Sequence, residues 1–248
     1  MKTSIIYEFP LNERIRVFIR LEQLFQQFKY HLNGENIINK RAAINVFLDI
    51  VAIFKRNDLK SEILKEVDRH ANALKMNPEM NQNVTQLTEI SKTLYASTGK
   101  IGNHLIENDL FQSILQRSSI PSGTCSFDLP EFHYWLTQSN EKYLQDLNNW
   151  SQPFIDISVA IDLILNCIRT SCSEIEEIAS SGFFQIALDT RLPYQLLRVN
   201  IDKEQPYFVE ISGGKHRCTI RFMSPSHKNQ RPLQSNENIP FKLSRCIF

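Results

Sequence analysis

Residues 213–222 read GGKHRCTIRF. On a β-strand, side chains point alternately to two faces. Lys215, Arg217, Thr219 and Arg221 then share one face, and His216, Cys218, Ile220 and Phe222 the other. The second set has the make-up of a core, the first that of a row of cations. Working outward, FFQIALD (183–189), YQLLRVNID (194–202), YFVEIS (207–212), HRCTIRFM (216–223) and IPFKLSRCIF (239–248) are short apolar-rich runs separated by Gly and Pro. Four or five strands with hairpin-sized gaps predict an antiparallel sheet. The polar stretch SPSHKNQRPLQSNEN (224–238) reads as a mobile loop.

Upstream of about residue 172 the periodicity is helical. Leu11, Ile15, Phe18, Phe25 and Phe28 recur at steps of three and four, as one helix face requires. Ala43, Val46, Phe47, Ile50 and Phe54 form a second stripe. Leu64, Val67, Ala71 and Leu74 form a third, with Asn57-Asp58 as its cap and Asn77-Pro78 as its breaker. Further helices are expected over Val84–Leu94, Leu105–Leu115 and Pro130–Trp150. Ser151, with Pro153 in the first turn, is read as the cap of a last one, apolar almost all round to Ile168. Thr3 to Glu8 is a strand candidate with no partner among helices, so it is placed in the C-terminal sheet. The expected fold is α+β: a helical bundle domain over 9–180, and a discontinuous, mostly antiparallel β domain made of 1–8 and 181–248.

A chain of 248 residues that is 42% hydrophobic and 22% charged, with only 7 Gly and 10 Pro, can bury a sizeable core and leaves little room for long disorder. The net charge of +1 points to neither nucleic acid nor a membrane surface. Its distribution is uneven: residues 181–248 carry 10 Lys/Arg against 5 Asp/Glu, residues 1–180 carry 18 against 22. The cationic character therefore gathers around the quoted strand. Cys125, Cys167, Cys172, Cys218 and Cys246 are odd in number and widely spaced, which fits a reducing cytosol better than a disulfide framework or a zinc site. The N-terminal apolar run is too short for a signal peptide, and the apolar stretch at 154–168 is interrupted by Asp156, Asp162 and Asn166, so a buried helix is expected there and not a membrane span.

Catalytic patterns are few. There is no phosphate-binding Gly-rich loop, no H-E-x-x-H and no G-x-S-x-G. The six histidines have no ligand spacing. Cys125, with Asp128 and His133 nearby in IPSGTCSFDLPEFHYW, is the best nucleophile candidate, but a loop built on Gly123 and closed by Pro130 explains the same residues more simply. His216 and Cys218 could share a metal; Ile220 and Phe222 on the same face favour core packing. Arg16 and Arg20 read as a solvated helix face, and Lys55-Arg56 as a complement to a helix dipole.

The basic row has three explanations: protection of a sheet edge, pairing with carboxylates such as Glu210 or Asp202, or reception of an anionic ligand. Arginine at two of three positions favours the last, because its planar fork takes carboxylate or phosphate in bidentate fashion.

The segments YEFPLNERIRVFIRLEQLF (7–25), DLKSEILKEVDR (58–69), IPSGTCSFDLPEFHYWL (120–136) and ISGGKHRCTIRFM (211–223) together resemble the ZapD family of bacterial division factors, in the family's order. The resemblance implies a non-enzymatic, cytoplasmic homodimer at the mid-cell division site, with no cofactor or metal and with neither nucleic acid nor membrane as partner. Such dimers bind the C-terminal tail of FtsZ, the tubulin-like division GTPase, and bundle its protofilaments in the Z-ring. The family's tail-binding pocket, between its two domains, corresponds here to Lys215, Arg217 and Arg221 on the strand and Arg56 on the helical side. The alternative from another class is a nucleic-acid-binding module using the same strand, which would want a wider cationic surface and aromatic stacking platforms.

Overall fold

The computed structural model describes residues 4–56, 59–74, 81–96, 99–214, 216–226 and 231–248, with the backbone alone at 56 and 81–83. The chain divides into two compact units, Arg20–Ile164 and the pair of segments Met1–Ile19 with Leu165–Phe248. The boundaries fall inside two helices, α1 (Glu13–Leu32) and α7 (Asn140–Thr170).

The Arg20–Ile164 unit is helical. Besides parts of α1 and α7 it holds α2 (Ile37–Arg56), α3 (Leu59–Leu74), α4 (Asn81–Ala96), α5 (Asp109–Ser118) and α6 (Pro130–Leu136). Asparagine side chains start several of the protein's helices by accepting an otherwise orphaned backbone N–H: Asn12 from Ile15 at 2.9 Å, Asn36 from Asn39 at 2.8 Å, and Asn108 from Phe111 at 2.8 Å. The core is aromatic. Phe47 stacks on Phe28 at 5.4 Å and meets Phe111 and Phe154 edge-on, while Trp150 joins Phe111 to Trp135. The expected break at Ser151 is not there: α7 runs through Ser151 and Pro153 for 31 residues. Ser151 is buried and donates its Oγ back to the Asn148 carbonyl, and Trp150 and Phe154 are both buried. Burial of its apolar side chains outweighs the amide lost at Pro153. α7 is long and apolar enough to span a bilayer, yet 56% of its most apolar window is buried within the protein. The expected helix at Leu105–Leu115 begins later, at Asp109, after a 3-10 turn over Asn103–Leu105. The Asn57-Asp58 cap and the Asn77-Pro78 breaker lie outside the described residues.

Among the described residues, the other unit holds eight strands in two sheets: β1 (Ser4–Pro10), β2 (Ile175–Ala179), β3 (Phe183–Ala187), β4 (Tyr194–Asp202), β5 (Phe208–Gly213), β6 (Arg217–Ser224), β7 (Leu233–Gln234) and β8 (Ile239–Ile247). The first sheet has the order β1-β4-β8-β2, the second β3-β6-β5 with β7 on the end of β6. All pairings are antiparallel. Their inner faces share one core, in which Phe241 of the first sheet touches Phe184 and Phe222 of the second at 5.2 Å. The N-terminal strand joins the C-terminal strands, as the α+β reading requires, by pairing with β4. A single sheet was expected; the strands form two, and β2 and β7 add to the anticipated set. β7 occupies part of the segment read as a loop, and Ser235 and Glu237 beside it bond to the backbone of Phe222 and Gly182.

Two details fix this sandwich. Ser181 (φ 50°) and Gly182 (φ 67°) form a two-residue turn closed by Phe183 N–H on the Ser180 carbonyl at 3.0 Å. Two successive positive φ values are what a tight hairpin turn needs, and here the turn carries the chain from one sheet into the other. A Cβ on Gly182 would stand 2.5 Å from the Ser235 carbonyl oxygen. On the outer side of the first sheet, Glu8 accepts from Arg169 twice at 2.8 Å and from Arg198 at 3.1 Å, so the last turn of α7 is tied to β1 and β4.

Candidate functional site

β6 is the middle strand of the second sheet. From Arg217 to Phe222 its side chains alternate between exposed or half-buried and fully buried: Cys218, Ile220 and Phe222 are in the core, while Arg217 and Arg221 are exposed with Thr219 between them. The period-two reading therefore holds for both arginines. Their Cα atoms are four residues apart, or roughly 13 Å along a strand. Lys215 lies outside the described residues. His216 departs from the expected pattern: it precedes β6 and is exposed, because the strand starts at Arg217, after the Gly213-Gly214 turn. Gly213 has φ 150° and packs so closely that a Cβ would lie 2.6 Å from Cys218 Cα. His216 and Cys218 are thus not side by side, and among the described residues no group of three or more His, Cys, Asp or Glu is arranged to hold a metal ion.

The register defines what surrounds the arginines. Arg221 stands opposite Glu210 on β5 and Phe183 on β3; Arg217 stands opposite Ala187 on β3. Between them, Thr219 faces Gln185 and Ser212, and the Ser212 and Thr219 hydroxyls are 2.7 Å apart. Phe183 is exposed and Phe208 half-buried at the Arg221 end. A cleft of 300 Å³ lined by Leu11, Leu188, Leu192, Tyr194 and His216 opens where β6 begins.

This placement sorts the three readings of the basic row. A middle strand has no edge to protect. Asp202 belongs to the other sheet, opposite Ser4. Glu210 is in register with Arg221, yet among the described residues neither Arg217 nor Arg221 makes a side-chain hydrogen bond or ion pair. Both side chains are available to an outside anion. Arg56 ends α2, in the helical unit; its side chain is not among those described.

Cys125 fits the structural reading of its loop. Its N–H donates to the Ser122 carbonyl, its own carbonyl accepts from Asp128 and Leu129, and Arg41 donates to Thr124 at 3.0 Å. The half-buried Cys125 has no hydrogen bond to the exposed His133 among the described residues. What sequence reasoning missed in the β unit is a second thiol arrangement: the Sγ atoms of Cys172 and Cys246 are 3.0 Å apart. Their separation of 74 residues carries no local signal.

Comparison with known proteins agrees with the resemblance read from the motifs. The model of the ZapD family, described as a cell division protein, matches residues 19–221. The cell division protein ZapD of Methylococcus capsulatus is 44% identical over 258 residues, covering 100% of both chains. Those of Janthinobacterium sp. and Ralstonia pickettii are each 35% identical, covering 98% of this chain and 100% of their own. A family match that reaches as far as Arg221, with full-length relatives of one name, places the chain: it belongs to the ZapD family of cell division proteins.

Proposed function

We propose that this protein is a non-enzymatic, cytoplasmic factor of the division site, which binds the acidic and apolar C-terminal tail of FtsZ and, as a homodimer, cross-links FtsZ protofilaments. The observation that carries the reading is the pair of exposed arginines, without carboxylate partners among the described residues, on the middle strand of an antiparallel sheet. The two arginines leave the strand with their Cα atoms roughly 13 Å apart. They suit carboxylates spaced along an extended peptide, with the Thr219 and Ser212 hydroxyls between and Phe183 and Phe208 beside Arg221 for apolar side chains. Lys215 and Arg56 complete the proposed basic set. A tail that is disordered when free loses entropy on docking, so each contact is weak. Two sites per dimer and many tails per filament turn weak contacts into bundling.

The test is co-sedimentation with polymerised FtsZ, full-length and lacking its tail. Full-length filaments should carry the protein into the pellet as bundles, and tail-less filaments should leave it in the supernatant. Equal pelleting with both would overturn the reading. A filter-binding assay with mixed DNA and RNA at moderate salt separates it from a nucleic-acid module: retention of nucleic acid by the wild type, lost in Arg217→Glu, would support that alternative instead.

A further inference from the structure

Cys172 lies just past the C-terminal end of α7 and before β2; Cys246 lies near the end of β8, opposite Leu196 of β4. Their sulfurs are 3.0 Å apart, one thiol donating to the other. Cys246 is fully buried, whereas Cys172 is half-buried and meets solvent. A disulfide has an S–S distance of ~2.05 Å, so closing the bond asks for a movement of about 1 Å. The pair stands alone in this respect among the five cysteines: Cys125, Cys167 and Cys218 have no second sulfur within hydrogen-bonding distance. Of the Glu8–Arg169–Arg198 cluster, the charges of Arg198 and Glu8 act on Cys246.

We propose that Cys172 and Cys246 form an oxidisable thiol pair, a site of reversible two-electron modification by hydroperoxides. The half-exposed Cys172 takes the oxidant. Its sulfur attacks the peroxide, the O–O bond breaks, and Cys172 becomes a sulfenic acid with release of water. The Cys246 sulfur then attacks the sulfenic sulfur, an S–S bond forms, and a second water leaves with the remaining thiol proton. In sum, two thiols and one hydrogen peroxide give one disulfide and two waters, the two electrons passing to oxygen. A dithiol reverses the step. Burial, and then the neighbouring Cys172 thiol, raises the Cys246 thiol above its ordinary pKa, so Cys246 is not the first target of a solvent oxidant and gives up its proton only in the step that forms the disulfide.

The consequence is mechanical. The bond would join the connection between α7 and β2 to β8, which pairs with both β4 and β2. It closes a loop that contains β2 to β7 and most of β8, so the unfolded chain would lose much freedom and the folded one little.

The test treats the full-length protein with a few equivalents of hydrogen peroxide, followed by alkylation, proteolysis and mass spectrometry. The expected first product is a peptide linking Cys172 to Cys246, formed before any oxidation of Cys125, with the intact mass lower by about 2 Da. The melting temperature should rise by roughly 5–10 °C, and dithiothreitol should reverse both changes. Cys172→Ser should show neither change and leave Cys246 unmodified. Cys246→Ser should accumulate a sulfenic acid on Cys172 that dimedone traps; should its buried serine prevent folding, Cys172→Ser supplies the comparison. Conversion of wild-type Cys172 to sulfinic acid while Cys246 remains open to alkylation after unfolding would overturn the proposal, as would a first disulfide between any other cysteines.

Discussion

Arg217 and Arg221 sit on one strand face but not in one environment. Arg221 has Glu210 and Phe183 as cross-strand neighbours, while Arg217 has Ala187 on one side and the Gly213 turn on the other. Removing the Arg221 side chain therefore deletes an exposed fork that stands in register with Glu210 but is not paired with it among the described residues. Reversing Arg217 places an anion where the proposed peptide must lay a carboxylate. Arg221→Ala and Arg217→Glu are each expected to reduce FtsZ tail binding by at least tenfold, read by fluorescence anisotropy of a labelled tail peptide, with circular dichroism unchanged because both side chains point away from the core. Glu8 is the opposite kind of charge. It is only 18% exposed and its carboxylate serves two arginines that are each 22% exposed. Glu8→Gln should cost about 1–3 kcal/mol in urea denaturation, since two partly desolvated guanidiniums lose their charge partner. The basic row was legible in the sequence because its rule is local, one residue in two. The Glu8 cluster was not, since Glu8 lies 161 residues from Arg169 and 190 from Arg198 and only strand pairing brings them together.

At the level of elements, α7 shows how burial overrides a local signal. Ser-x-Pro reads as a helix start, but the chain continues as helix because Trp150, Phe154 and Ile157 are all buried. Pro153 is exposed and still leaves one carbonyl of the preceding turn without its amide partner. Pro153→Ala should therefore stabilise the protein by about 1–3 kcal/mol in thermal or urea denaturation. β2 was missed for a related reason: IEEIA has two adjacent glutamates just after a helix, and it becomes a strand because β8 offers an edge for it, in register from Ile175 with Leu243 to Ala179 with Ile239. The segment leading into it carries a titratable contact. The hydrogen bond from Asn200 to Glu174, at 2.8 Å, and then Lys242 at 3.4 Å, hold the Glu174 carboxyl below its ordinary value of 4.5. A carboxylate whose pKa is lower in the folded state adds stability above its unfolded pKa and loses it as acid protonates the folded form. The stability difference between wild type and Glu174→Gln should be present at neutral pH and vanish as pH falls below 4.5. With 39% of the side chain exposed, it amounts to some tenths of a kcal/mol.

Across the whole molecule, the uneven charge distribution matters more than the near-zero total. Residues 181–248 hold twice as many basic as acidic side chains, and the proposed docking face belongs to this segment. Because the arginines are exposed, their attraction for an acidic tail is screened: between about 0.1 M and 1 M salt the screening length falls from ~10 Å to ~3 Å. Pelleting with FtsZ filaments should accordingly fall steeply over that range, while the melting temperature, set by two apolar cores, stays nearly constant. Salt-independent pelleting would point to a mainly apolar contact. The helix-then-strand order was legible because each half keeps one periodicity throughout; the division of the strands into two sheets was not, because partner choice depends on contacts far apart in sequence. That division gives the Ser181–Gly182 corner an importance that its two residues do not announce. The chain changes sheets there with no slack, so the number of residues in the corner sets which face each β3 side chain takes. One inserted residue would turn Phe183, Gln185 and Ala187 inward and send Phe184 and Ile186 out beside Arg217 and Arg221. Insertions at this point should thus be far less tolerated than substitutions at Ser181, and a change of chain length would act on the docking face without altering any residue in it.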